Sequence, residues 1–199
     1  RHFMNEEYNT LRAEVLQKIE LHNKLIMFAI TTTVAILAFA FSQNNAYLFL
    51  LPFCVIIPVS LRVIYYRSAM VKISAYIAVF IEPKNKNYNW ETRNHKLNIS
   101  INNNITKALR SNINYDCLIL SISCYILFVV RFLNMTSKIN FDFWIAVISP
   151  ILLVIIELIL SIKGNKLYKT KQYWIDKWKI MHDKECMENE IDNLSVKSL

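Results

Sequence analysis

Apolar residues fall into four runs along this chain, separated and flanked by three polar blocks. The chain is organised around the stretch from Tyr47 to Pro83. It begins as a membrane span, YLFLLPFCVIIPVSLRVIYY. It continues without a break signal into RSAMVKISAYIAVFIE, where apolar and basic residues alternate at helical spacing. One helix is therefore predicted to leave the bilayer and carry on into an aqueous compartment, with Arg62, Arg67 and Lys72 marking the exit. Before it, Asn5 to Lys24 reads as an amphipathic helix, capped by Asn5 or Thr10, with Tyr8, Leu11, Val15, Ile19 and His22 along one face. Leu25 to Ser42 is uncharged and long enough to cross a hydrocarbon core of ~30 Å. The polar link Gln43–Ala46 is so short that these two spans form an antiparallel hairpin.

Residues 84–116 are polar and rich in Asn. They carry Lys84, Lys86, Arg93, Lys96, Lys107 and Arg110 against Glu91 and Asp116. Ile101, Ile105, Leu109 and Ile113 recur at four-residue steps and predict a short helix before the third span. That span covers Cys117 to Met135, and the fourth covers Phe143 to Ile162, joined by the short link Thr136–Asp142. A second charged amphipathic helix follows Gly164. Leu167, Trp174, Trp178 and Met181 form its apolar stripe, and Lys166, Lys169, Lys171, Lys177 and Lys179 crowd the rest. The resulting segments are 5–24, an N-terminal helix; 25–66, a transmembrane hairpin; 67–116, a helix and basic Asn-rich segment; 117–162, a second hairpin; and 163–199, a basic aromatic helix and tail.

Composition agrees with an all-α membrane protein. The 199 residues are 54% hydrophobic, with one glycine and four prolines, too few turn formers for a sheet or barrel. Cys54, Cys117 and Cys124 lie in apolar runs and Cys186 near the C-terminus, and all four read as packing residues rather than a redox or metal set. The first apolar run has no small-residue cleavage site, so it reads as a retained span. Arg1 to Phe3 precede Met4 and read as vector-derived.

The net charge of +8 is unevenly placed. The two short links hold one basic residue, Lys138, while the N-terminal helix, the middle segment and the C-terminal helix hold nearly all the others. By the positive-inside rule, both termini and the middle segment are cytoplasmic.

Within the spans, Thr31, Ala35, Ala38 and Ser42 form one stripe of small residues. It is either a seam against span two, or a seam around a central axis or a pore lining. Pro52 and Pro58 predict kinks, as packing bends or as a gate hinge. Arg62, Arg131 and Glu157 are intramembrane charges. Arg62 and Glu157 lie at similar depth and are expected to pair, within one chain or between neighbours; the alternative is that Arg62 snorkels to headgroups. Arg131 snorkels outward or meets Asp142; alternatively, either Arg131 or Glu157 forms a charged ring in a pore between subunits.

Chemistry is otherwise sparse. One glycine cannot build a phosphate-cradling loop, and no HExxH, GxSxG or Cys/His metal spacing is present, so neither enzymatic activity nor a cofactor or metal is expected. The basic cytoplasmic face reads either as an anchor for anionic lipid or as a site for a nucleotide or single-stranded nucleic acid. Its candidate ligand residues are Arg67, Lys72, Arg93, Lys96, Lys107, Arg110, Lys169, Lys171 and Lys177.

The stretch from Tyr8 to Leu97 bears on that choice. EYNTLRAEVLQKIEL before span one, and YYRSAMVKISAYIAVFIEP with NYNWETRNHK after span two, are similar to the SLATT-type effectors of bacterial anti-phage systems. In that family a membrane hairpin is flanked by cytoplasmic helices, and the gene sits beside a nucleotidyltransferase. The resemblance covers about half of the chain. It implies an oligomeric pore in the bacterial inner membrane that depolarises the infected cell, controlled by a nucleotide or DNA oligomer from the partner enzyme. In the Hailong system, the partner's DNA oligomer holds the channel shut. Spans three and four depart from a two-span pattern.

The expected protein is thus four transmembrane helices with cytoplasmic amphipathic extensions. A single four-helix bundle of this size has no room for an aqueous path, so conduction requires a symmetric homo-oligomer, with a tetramer favoured. The competing expectation is a non-conducting membrane anchor or scaffold that recruits a cytoplasmic partner through its basic helices.

Overall fold

The computed structural model describes residues 2–43, 45–84, 89–100, 115–135, 141–165 and 167–197, with side chains over 6–43, 45–84, 89–97, 115–135, 144–163 and 171–188. The described residues are almost entirely helical, with no strand among them. Four of the helices are long and apolar enough to cross a membrane, within Glu6–Ser42, Ala46–Lys84, Tyr115–Met135 and Trp144–Lys163. The chain has the character of an all-α, multi-pass membrane protein.

The N-terminal helix and the first span are one element, α1 (His2–Ser42), about 62 Å long at 1.5 Å per residue. No Gly or Pro interrupts it, so nothing separates the two predicted helices at Lys24. Thr10 is not a cap: its hydroxyl donates back to the Glu6 carbonyl at 2.9 Å inside the helix. A 3₁₀ turn, Ala46–Leu50, follows, opened by Asn45, whose side chain accepts from the Tyr47 N–H at 3.0 Å. Helix α2 (Phe53–Tyr76) begins after Pro52, so Pro52 opens the helix rather than kinking it, and Pro58 alone lies inside. The helical path continues through a wide π turn, Ile77–Ile81, and a tight turn, Glu82–Lys84, to Pro83.

Helix α3 (Trp90–Ser100) lies within the polar, Asn-rich segment. The helix expected over 101–113 falls outside the described residues. Helix α4 (Tyr115–Met135) is the third span. The fourth is two helices, α5 (Phe141–Ile148) and α6 (Ile151–Asn165), broken at Pro150. Pro150 has no N–H to donate and its ring crowds the preceding turn. At the break, the Tyr125 hydroxyl donates to the Val147 carbonyl at 3.1 Å, which serves a backbone group in an apolar setting. Helix α7 is Leu167–Lys197.

The chain divides into two compact units. The first comprises Arg1–Gln17, Ser68–Lys107 and Lys166–Leu199. The second comprises Lys18–Arg67 and Ala108–Asn165. In the second, helical spacing selects the inward faces. Ala29, Thr33 and Ala40 line α1; Phe53, Ile56, Val59 and Val63 line α2; and Cys117, Ser121, Cys124 and Phe128 line α4. Phe49, Phe53, Ile56 and Phe128 fill the interior. Cys117 and Cys124 pack as expected of small apolar residues, whereas Cys54 faces outward.

Candidate functional site

Among the described residues, two places gather polar chemistry, one in each unit. In the first unit the focus is Glu91, in the first turn of α3 and 9% exposed. Its carboxylate receives Lys171 Nζ of α7 at 2.9 Å, Arg12 Nη1 of α1 at 3.5 Å and the Ser74 hydroxyl of α2. Four helices of this unit therefore meet on one anion. A buried carboxylate is tolerated when opposite charge and hydrogen bonds surround it.

Beside it, Glu82 is 3% exposed and caps α3. Its oxygens accept the Glu91 N–H at 2.6 Å, the Thr92 N–H at 2.9 Å and the Thr92 hydroxyl. A carboxylate here satisfies orphan N–H groups and complements the positive end of the helix. His95 Nε2 meets Gln172 Oε1 at 2.8 Å, and Gln172 Nε2 donates to Asp176 at 2.8 Å.

The same unit holds an aromatic group. Tyr76 stacks on Phe80, with Trp178 edge-on to both and His182 against Phe80. Lys72 Nζ lies 4.9 Å from the Trp174 ring centre and 5.9 Å from that of Trp178, a cation–π arrangement, and the Trp178 Nε1–H donates to the Lys72 carbonyl at 3.3 Å.

The expected basic face is thereby revised. Lys171 was expected among solvated lysines, but it lies on the inward stripe of α7 with Ile175 and is occupied by Glu91, so it offers no free ammonium to a ligand. Lys72 is exposed but already covers two tryptophan rings. Arg93, Lys96 and Lys177 are exposed, Lys177 over the Tyr173 ring at 5.7 Å, and Arg67 is half-buried. Lys107 and Arg110 lie outside the described residues, as does the Lys169 side chain.

In the second unit the focus is Glu157, 1% exposed, midway along the inward stripe of α6 between Leu153 and Ser161. One oxygen, Oε2, accepts the Ser60 hydroxyl at 2.9 Å, while Oε1 has no hydrogen-bond partner among the described residues. A small cleft adjoins it, lined also by Asp116, Cys117 and Ser161 with apolar walls from Ile26, Val63 and Leu160.

The expected pair of Arg62 with Glu157 is not formed in the chain. Ser60 and Arg62 are two residues apart, about 200° around α2, so the face that turns Ser60 inward turns Arg62 outward. Arg131 is half-buried and engaged with its surroundings.

Thr31, Ala35, Ala38 and Ser42 are all exposed. They lie on the side of α1 opposite to Ala29, Thr33 and Ala40, so the stripe is not a seam against span two. Met27 and Phe28 accept the Thr31 hydroxyl through their carbonyls, and Phe39 accepts that of Ser42, so both hydroxyls are satisfied within the helix.

Part of this arrangement is written in the chain. Position 171 follows Leu167 by four and precedes Trp174 by three, which puts it on the apolar stripe. Glu82 and Glu91 are the two acids in a strongly basic stretch, on either side of Pro83. Nothing local in the sequence joins Glu82 to the N-terminus of α3 or Glu91 to Arg12 and Lys171. No protein-family model matches the chain, and no match is found among curated proteins or solved structures.

Proposed function

We propose that the chain is one subunit of an oligomeric membrane ion channel. The observation that carries this reading is the exposed small-residue stripe of α1, Thr31, Ala35, Ala38 and Ser42, beside a bundle interior filled by Phe49, Phe53, Ile56 and Phe128. A filled bundle leaves conduction to the space between chains. A stripe of small residues is the kind of surface through which membrane helices approach closely. In this reading both termini are cytoplasmic, α1 or the half-buried Arg131 contributes to the path, and the assembly is a closed ring, most simply a tetramer.

The resemblance to SLATT-type effectors supplies the biological side: an anti-phage effector of the bacterial inner membrane, gated by a nucleotide or DNA oligomer made by a partner nucleotidyltransferase. The exposed cations Arg93, Lys96 and Lys177 are the residues that suit such a polyanion. The test is ion flux from liposomes holding the purified protein, with and without single-stranded DNA oligomers. Flux suppressed by the oligomers supports the whole reading. Flux indifferent to them supports a channel with another gate.

A non-conducting anchor or scaffold is the second reading. It draws on one observation: Lys72, Trp174, Trp178 and Lys171 are spent on contacts inside their own unit, as suits a rigid docking platform rather than a stacking site for bases. Unregulated expression separates the two, since a channel collapses the membrane potential and an anchor leaves it intact.

A further inference from the structure

Glu157 occupies a position on the α6 stripe that an apolar side chain would fill without desolvating a charge. Ser60 satisfies one of its oxygens, while Oε1 is buried with no hydrogen-bond partner among the described residues, and Glu157 lines the cleft. A cation would satisfy the oxygen directly.

The lining fixes the kind of cation. Ser60 and Ser161 contribute hydroxyl oxygens, and Asp116, itself exposed, contributes a second carboxylate at the mouth. Among the described residues no three His, Cys, Asp or Glu are grouped to hold a metal ion, so a soft-metal or zinc site is not assembled. Hydroxyl and carboxylate oxygens suit hard cations. The cleft is small, with room for about one particle the size of a water. Ile26, Val63 and Leu160 exclude solvent from the sides, which strengthens a single charge–charge contact.

We propose that this cleft binds one alkali cation of sodium size, held by the Glu157 carboxylate with the Ser60 and Ser161 hydroxyls, and with Asp116 at its entrance. The site belongs to one chain and does not depend on the channel reading.

The experiment is thermal unfolding of the full chain in detergent, in sodium, potassium, lithium or choline chloride at constant ionic strength, repeated across pH. The expected result is a midpoint that rises saturably with sodium over choline, following the logarithmic dependence of a ligand that binds the folded state. Glu157→Gln should remove that rise. Asp116→Asn, at an exposed position, and Ser161→Ala should each weaken the apparent affinity several-fold, and they carry the comparison if the Glu157 variant fails to fold. A wild-type midpoint equal in all four salts, or one that follows pH alone, would overturn the proposal. So would an undiminished sodium response in Glu157→Gln, or in Asp116→Asn and Ser161→Ala together.

Discussion

Removing the Lys171 ammonium is the sharpest perturbation of the first unit. In Lys171→Met, Glu91 loses a partner at 2.9 Å across two side chains that are 10% and 11% exposed. Breaking a buried pair by deleting one member costs ~3–5 kcal/mol, because the other charge stays buried without compensation. Glu91 keeps the Ser74 hydroxyl and Arg12, but Arg12 is 3.5 Å away and 40% exposed, so it compensates weakly. The expected loss is therefore the lower end of that range, about 3 kcal/mol.

Hydrogen exchange read by mass spectrometry on α3 and α7 reports this locally, with an expected acceleration of about a hundredfold. Lys177→Met is the control. Lys177 is exposed on the same helix, and its loss should stay within about 0.5 kcal/mol. Glu91→Leu combined with Lys171→Met removes both charges and should recover most of the loss, since apolar replacement of a buried pair is often neutral or better. Lys171→Met and Lys177→Met behaving alike, or a double variant no better than Lys171→Met, would refute the account of Glu91 as the anion that joins four helices.

Glu82→Ala should free the amides of Glu91 and Thr92, cost about 1–2 kcal/mol, and speed exchange at the start of α3 while α4 is unaffected. Tyr125→Phe removes the hydroxyl that serves the Val147 carbonyl and should lower stability in detergent by about 1 kcal/mol, measured by denaturant titration. Ala35→Leu places a bulky side chain on the exposed stripe of α1. It should leave the folded chain intact by circular dichroism while shifting the protein to smaller species on gel filtration. Arg93→Glu with Lys96→Glu should weaken binding of single-stranded DNA oligomers and flatten its salt dependence, as read by fluorescence anisotropy.

Hydrophobic patterning made the four spans readable, because uninterrupted apolar runs admit few other structures. The continuous path from span two to Pro83 was readable for the same reason, since no Gly breaks it. Boundaries were read less well where one residue decides them. Pro150 splits the fourth span, and Pro52 delays the start of α2. The phase of each helix was harder still. Ser60 and Arg62 are both compatible with an inward position until Phe53, Ile56 and Val63 choose the face, and that choice gave Glu157 to Ser60. The Glu91 centre joins residues from four separate stretches of chain, and pairing over such separations leaves no periodic trace in the sequence.

Subunit number tests the central claim most directly, because a bundle filled by its own side chains conducts only in company. Native mass spectrometry of the protein released from lipid nanodiscs should give a closed oligomer, most simply of four chains, and Ala35→Leu should dissociate it. A wild-type protein that is monomeric at every concentration in lipid would contradict the channel account and leave the anchor.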